Sequence, residues 1–366
     1  MKKTRVLIVD DSAIVRKVLS DALAGEPDLE VVGTAPDPFV ARDKILSLQP
    51  DVLTLDIEMP RMDGITFLRK LMHFRPMPVV VISSLAQTSC RAALEALECG
   101  AVEVLAKPNG PYSVGELRTS LAAKLRAAAV AKVRFKAGPT VDGDSMGMST
   151  PPRTIPVVRV AAPPKMIVPV SAASVGAVLI AIGASTGGTE AIAAVLTRLP
   201  KDSPPILIAQ HIPPVFSRAF ANRLNEICAI SVKEAEDGDA VCPGLALIAP
   251  GDFHMVLRRN GTRYAVSVKT GPRVCYQRPS VDVLFQSVAE VAAAKAVGVL
   301  LTGMGSDGAQ GMLKMRQAGA NTIAQDEATC VVFGMPREAI RLNGAAQVLP
   351  LPKIAQAMLM TRTSRN

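Results

Sequence analysis

The chain has 366 residues, 49% of them hydrophobic, and a formal net charge of +9. That length suits two ordinary domains with a linker, and the apolar content excludes a largely disordered chain. No apolar run approaches a membrane span, Met1-Lys-Lys-Thr-Arg5 leads into a strand-like segment without a cleavage site, and the six cysteines lack Cys-x-x-Cys spacing. The sequence therefore predicts a soluble, cytoplasmic protein with no membrane insertion, disulfide framework or zinc site. Much of the charge lies between Val130 and Gly176, where Lys132, Arg134, Lys136, Arg153, Arg159 and Lys165 face only Asp142 and Asp144. With no Trp, three Tyr and no helix-turn-helix pattern, this basic stretch reads as solvated and gives no sign of a nucleic-acid partner.

In chain order, residues 5–9 read as a strand ending in Asp10-Asp11. Ser12 then caps a helix whose Ile14, Val15, Val18, Leu19 and Leu23 share a face. Val31-Val-Gly33 and Val52–Leu55 are further strands, with a helix over 38–48 between them, and the third strand runs into Asp56. Pro78–Ile82 ends in Ser83-Ser84, and Val102–Leu105 ends near Lys107-Pro108. Strands alternating with helices make a parallel sheet, and ligands of such sheets gather at the strands' carboxyl ends.

That edge carries Asp10, Asp11, Asp56, the Ser83 hydroxyl and the Lys107 ammonium. Clustered carboxylates repel unless a hard cation neutralises them, and Mg²⁺ takes a few carboxylates and completes its shell with water and phosphate. Asp56 is then placed to attack a phosphoryl donor, with Ser83 and Lys107 stabilising the phosphoryl oxygens. In these positions the first third of the chain resembles the response-regulator receiver domain, through Asp10-Asp11, Asp56-Ile-Glu-Met-Pro-Arg-Met-Asp-Gly64, Ser83 and Lys107-Pro108. The resemblance implies a flavodoxin-like parallel sheet, phosphorylation of Asp56, and a metal held by Asp10, Asp11 and Asp56. The strand-five position that is often aromatic in that family is Val104 here, which speaks against an aromatic-switch mechanism.

Glu116 to about Lys136 reads as the last receiver helix, with Leu117, Leu121 and Leu125 at four-residue spacing. Beyond it the apolar period collapses into Pro, Gly, Ser and Ala, including Pro151-Pro152 and Pro163-Pro164. The expected organisation is a receiver over 1–136, a flexible basic linker over 137–176 and a second domain over 177–366.

In the second domain, Val178–Ile182, Ile206–Ala209, Leu245–Ile248, Val297–Leu301 and Thr322–Ala324 read as strands. The first leads to Ser185 in the small-residue turn Gly183-Ala-Ser-Thr-Gly187, followed by a helix with Ile192, Val195, Leu196 and Leu199 on one face. The second strand leads to Gln210-His211-Ile-Pro-Pro214, and the fourth to Thr302-Gly-Met-Gly-Ser-Asp307-Gly308. In one parallel sheet these side chains converge, and a Ser, a His and an Asp are the ingredients of acyl transfer. Of the three histidines, His73 lies in the receiver and His254, in Asp252-Phe-His-Met255, is a substrate-side or structural residue, so His211 is the better base.

The turn fits the Gly-x-Ser-x-Gly elbow of α/β-hydrolases, but those enzymes run Ser, acid, His, whereas this chain runs Ser185, His211, Asp307. A dinucleotide-binding turn would want an acidic residue about twenty positions on, where Ile208-Ala-Gln-His211 stands. The second domain instead resembles the CheB family of chemotaxis protein-glutamate methylesterases. The resemblance rests on Ile182-Gly-Ala-Ser-Thr-Gly-Gly188, Gln210–Pro214, Ala249-Pro-Gly-Asp-Phe-His254, Leu301–Gly308 and Ala324-Gln-Asp-Glu-Ala-Thr-Cys-Val-Val-Phe-Gly-Met-Pro336. It implies a mainly parallel, doubly wound α/β domain with Ser185 as nucleophile, His211 as base, Asp307 as orienting acid, and Thr186 and Met304 lining the oxyanion and substrate site. It also implies demethylation of glutamate methyl esters and deamidation of glutamines on chemoreceptors, with no catalytic-domain cofactor. The implied partners are methyl-accepting receptors and a chemotaxis histidine kinase, and the implied state is a monomer in which the unphosphorylated receiver blocks the site.

Overall fold

In this computed structural model the described residues are 3–84, 86–107, 114–133 and 178–360. The expected linker over 137–176 lies outside them. The first unit alternates β1 (Thr4–Val9), α1 (Ala13–Leu23), β2 (Leu29–Ala35), α2 (Pro38–Leu48), β3 (Val52–Asp56), α3 (Gly64–Phe74), β4 (Val79–Ser83), α4 (Gln87–Glu98), β5 (Glu103–Ala106) and α5 (Val114–Ala129). Its sheet is parallel in the order β2-β1-β3-β4-β5. The order reverses between β1 and β3, which brings Asp10 and Asp56 together at the crevice that doubly wound sheets use for ligands.

Local chemistry sets the element ends. Ser12 accepts from the Val15 N–H and Asp37 from the Phe39 and Val40 N–H groups, satisfying amides that α1 and α2 leave unpaired. Of the apolar set on α1, Leu19 and Leu23 are in the core, but Ile14, in the first turn beside Asp10-Asp11, is 77% exposed. Leu121 and Leu125 of α5 are fully buried. That helix stops at Ala129 and does not continue towards Lys136, because the Lys132 N–H donates to the carbonyl of Val331 in the second unit.

The second unit runs β6 (Leu179–Ala184), α6 (Gly188–Leu196), β7 (Ile206–Gln210), α7 (Phe216–Ile227), β8 (Ser231–Glu234), β9 (Leu245–Ile248), β10 (His254–Asn260), β11 (Arg263–Lys269) and α8 (Val281–Val291). It continues with β12 (Ala296–Leu300), α9 (Ala309–Gln317), β13 (Asn321–Gln325), α10 (Met335–Arg341), β14 (Gln347–Leu349) and α11 (Leu351–Met360). Its sheet has the order β14-β13-β12-β6-β7-β9-β8, all neighbours parallel. β6 is central, and the chain leaves it towards β7 on one side and returns to β12 on the other. The antiparallel hairpin β10–β11 stands apart from this sheet. It and the short strands β8 and β14 were not expected from the sequence, since their apolar runs are brief and broken by charge.

Candidate active site

β6 is buried along its whole length and delivers Ser185 to the carboxyl edge. Gly187, at φ 75°, makes the left-handed step that lets α6 begin at the next residue, and a Cβ there would collide with Val331. The turn is held on both sides. The Ser185 N–H donates to the Thr302 carbonyl after β12, and the side-chain amide of Gln210, the last residue of β7, donates to the Ser185 carbonyl. Gly303 packs against Ser185 closely enough that an added Cβ would sit 2.7 Å from the Ser185 Cβ.

Ser185, His211 and Asp307 converge as the sequence predicted. His211 Nδ1 lies 3.0 Å from Ser185 Oγ, and His211 Nε2 lies 2.7 Å from Asp307 Oδ2. The ring is thus turned the opposite way from the more familiar arrangement in which Nε2 meets the serine. All three residues are buried. Asp307 also receives the Ser280 hydroxyl and the Val281 and Asp282 N–H groups, at 2.8, 2.7 and 3.0 Å. Burial works to raise its pKa, but the hydrogen bond and charge of His211, with the Asp282 amide and Ser280 hydroxyl, outweigh it and hold the carboxyl below its usual range. The acid is therefore ionised, and Nε2 of His211 carries the hydrogen that it shares with Asp307.

The carboxylate sits on the first N–H groups of α8, a natural place for an anion. The arrangement is reciprocal: Asp282, in the first turn of α8, accepts from the Gly311 N–H in the first turn of α9 at 2.6 Å. Asp282 is itself pushed up by burial and by its neighbour Asp307. Cys275 approaches both carboxylates, and its thiol lies 3.9 Å from Asp282 Oδ2.

The two residues expected to line the oxyanion site flank Ser185. Among the described residues, the N–H groups of Thr186 and Met304 have no hydrogen-bond partner, and Met304 is partly exposed. The Thr186 side chain points elsewhere: its hydroxyl donates to Glu103 Oε2 of β5, at 3.0 Å and fully buried. Glu103 is paired in turn with Lys124 of α5 at 2.9 Å. Arg223 of α7 pairs with Glu98 of α4, and the first unit lies against the second along α4 with α6 and α7.

In the first unit, Lys107 Nζ lies 2.7 Å from Asp56 Oδ2 and 3.5 Å from Asp10 Oδ2. Asp10 Oδ2 is buried and makes no hydrogen bond. Burial and the charge of Asp56 push Asp10 up to about 6, against the opposing pull of Lys107 and the Ser12 N–H. Asp10, Asp11 and Asp56 present oxygens within 4.8 Å of one another. A buried carboxylate oxygen with no hydrogen bond, in a cluster of three carboxylates, fits a hard divalent cation. Ser83 does not join this group: its hydroxyl, fully buried, donates weakly to the carbonyls of Ser84 and Ser89.

Sequence reasoning missed Gln210, Thr302, Ser280 and Asp282 as supports of the site. Gln210 and Thr302 lay inside quoted motifs without an assigned role, and Ser280 carried a signal as a cap before the apolar-periodic α8, which names a helix start without naming what the helix holds.

A receiver-like sheet joined to a doubly wound domain with Ser, His and Asp at its switch point defines a class: a serine-type hydrolase governed by a response-regulator module. Comparison with known proteins narrows this. Residues 180–358 match the CheB methylesterase family and residues 6–119 the response regulator receiver domain. The chain is 53% identical over 98% of its length to protein-glutamate methylesterase/protein-glutamine glutaminase 2 of Syntrophus aciditrophicus, covering 99% of that protein. It is 52% identical to the Shigella flexneri protein-glutamate methylesterase/protein-glutamine glutaminase over 99% of this chain and 97% of that one. The Thermotoga maritima CheB methylesterase catalytic domain superposes with a TM-score of 0.50 at 40% identity, covering 50% of this chain and 98% of that one. The chain belongs to the CheB family of receiver-linked protein-glutamate methylesterases/protein-glutamine glutaminases.

Proposed function

We propose that this chain hydrolyses glutamate methyl esters and glutamine side-chain amides on chemoreceptors, under control of Asp56 phosphorylation, and so serves adaptation in a chemosensory two-component pathway. The observation that carries the reading is the hydrogen-bonded line from Ser185 through His211 to Asp307 at the switch point of the second sheet. Ser185 Oγ attacks the side-chain carbonyl of the substrate and gives its proton to His211 Nδ1, while Asp307 stabilises the imidazolium through Nε2. The free N–H groups of Thr186 and Met304 supply the oxyanion contacts. His211 returns the proton to the leaving group, methanol from an ester or ammonia from an amide. Water then cleaves the acyl-serine by the same route and leaves a glutamate.

In the receiver, Asp10, Asp11 and Asp56 would hold Mg²⁺, whose charge would offset that between the carboxylates and a phosphoryl donor. Asp56 takes the phosphoryl group from a histidine kinase. Lys107 then exchanges its contact with Asp56 for the phosphoryl oxygens, and Ser83 turns from Ser89 towards them. In the unphosphorylated chain, Glu103 on Thr186 keeps the receiver over the hydrolase edge. The reading takes a monomer acting in the cytoplasm beside receptor signalling helices, with the receiver over 1–136, the linker over 137–176 and the hydrolase over 177–366. Among the described residues no helix is long and apolar enough to cross a membrane.

The test is methanol release from methylated receptor membranes by wild type and Ser185→Ala, with and without a small phosphodonor and Mg²⁺. Release that rises with phosphodonor and is lost in the variant supports the reading; equal release by both proteins would refute it.

A further inference from the structure

We propose that His254, a residue outside the triad, holds the triad acid in place and is a positioning residue for hydrolysis. This rests on the assignment of Ser185, His211 and Asp307 above. His254 opens β10 and is buried. Its Nδ1 lies 3.2 Å from the Ser280 backbone nitrogen and its Nε2 2.9 Å from the Pro272 carbonyl oxygen. A backbone N–H only donates and a carbonyl only accepts, so Nδ1 is the bare nitrogen and Nε2 bears the hydrogen. His254 therefore pins the backbone of Ser280.

Ser280 is the point from which Asp307 is controlled. Its hydroxyl donates to Asp307 Oδ1, and the next two N–H groups in the chain, of Val281 and Asp282, donate to the same carboxylate. A shift of Ser280 moves three of the four donors on the acid together. The connection runs His254, Ser280, Asp307, His211, Ser185, and every member is buried. Small displacements of such a support cost rate far more than affinity, because they misalign the base at the moment of proton transfer.

His254 also ties down the 271–279 loop through Pro272, so a purely architectural role has to be separated from positioning. The two ring nitrogens do this. In His254→Asn the carboxamide oxygen falls near the Nδ1 position, keeping an acceptor for the Ser280 N–H and losing Pro272. In His254→Gln the amide nitrogen falls near Nε2, keeping Pro272 and leaving the Ser280 N–H without its acceptor.

The experiment uses full-length wild type, His254→Asn and His254→Gln with phosphodonor and Mg²⁺. It measures kcat and KM for methanol release from methylated receptor membranes, and the rate at which a fluorophosphonate labels Ser185. The Asn variant should keep kcat within about threefold, while Gln should lose at least about tenfold in kcat and in labelling rate with KM little changed. The opposite ranking, or equal rates in both variants, would overturn the inference. Labelling needs only the triad and no receptor, so a wild type that labels but releases no methanol counts against the proposed substrate while the ranking of the variants still decides the role of His254. Should thermal unfolding show that Gln does not fold, the Asn variant alone decides: a kcat and labelling rate within about threefold of wild type although the Pro272 contact is lost support positioning through Ser280, and a loss of at least about tenfold in both refutes it.

Discussion

The hydroxyl of Thr186, one residue past Ser185, donates to the carboxylate of Glu103 in the receiver across 3.0 Å of buried interface. One bond thus joins the neighbour of Ser185 to the strand that leads into Lys107. A hydrogen bond to a buried charged group contributes about 1.5–3 kcal/mol, and each 1.4 kcal/mol is about tenfold in an equilibrium. In Glu103→Ala the Lys124 ammonium keeps the Val104 carbonyl as a partner, so the receiver retains its fold. Expected is a rise of about tenfold in unphosphorylated esterase activity, with correspondingly weaker stimulation by phosphodonor. Unchanged basal activity would show that the contact does not hold the closed state.

Asp56→Asn removes the proposed phosphoryl acceptor and the charge that Lys107 faces at 2.7 Å. The triad is untouched by this change. The variant should label at Ser185, show no phosphoryl incorporation and give the same methanol release with and without phosphodonor. Equal stimulation of variant and wild type would place the control elsewhere.

Each oxygen of Asp307 faces two donors: Oδ1 the Ser280 hydroxyl and Asp282 N–H, Oδ2 the His211 Nε2 and Val281 N–H. An amide cannot satisfy both sides, because its NH₂ must meet a donor whichever way it turns. Asp307→Asn is therefore expected to lower kcat by on the order of 10³-fold or more, through misplacement and loss of the wanted His211 tautomer. The check is kcat with a folding control by circular dichroism; a fall of less than about tenfold would contradict the role.

Burial and the neighbouring Asp56 raise Asp10 to about 6, so below that pH its carboxyl is protonated and above it ionised. A divalent cation binds the ionised form. Mg²⁺ affinity should hence weaken as pH falls through about 6, approaching tenfold per unit beneath it, with a proton released on binding. Titration calorimetry of the full chain in two buffers of different ionisation heat reads both quantities. Affinity that is flat across this range would show that Asp10 is no ligand, and chelation should abolish phosphorylation of Asp56 without changing fluorophosphonate labelling of Ser185.

Both sheets were legible in the sequence because a fully buried parallel strand has a strong signature: Val52–Leu55 and Val79–Ile82 are short, mainly apolar runs followed at once by a polar residue, and Leu179–Ile182 is one followed by the small-residue turn that carries Ser185. The expected triad was legible for the same reason, as each member follows such a run. What was hidden is contact between residues distant in the chain. Ser83 has the right place at the end of β4, yet its hydroxyl turns to Ser89. Thr186 stands in the right turn, and its side chain answers to Glu103, 83 positions away. The end of α5 follows from a Val331 carbonyl, about 200 positions on, which no local pattern encodes.

The exchange of carboxylates between α8 and α9 bears on how the enzyme comes to be. Asp307 completes the start of α8, and Asp282 completes the start of α9, while β12 lies between the two helices in the chain. The Val281 and Asp282 N–H groups of α8 and the Gly311 N–H of α9 lack these partners until the two segments dock, so they close in one cooperative event. Closure of a segment this long comes after local structure has formed. Hydrolase competence in a refolding or nascent chain should then arrive late and all at once, well after helical signal is regained, and an incomplete product would carry Ser185 and His211 without the ability to act on a receptor.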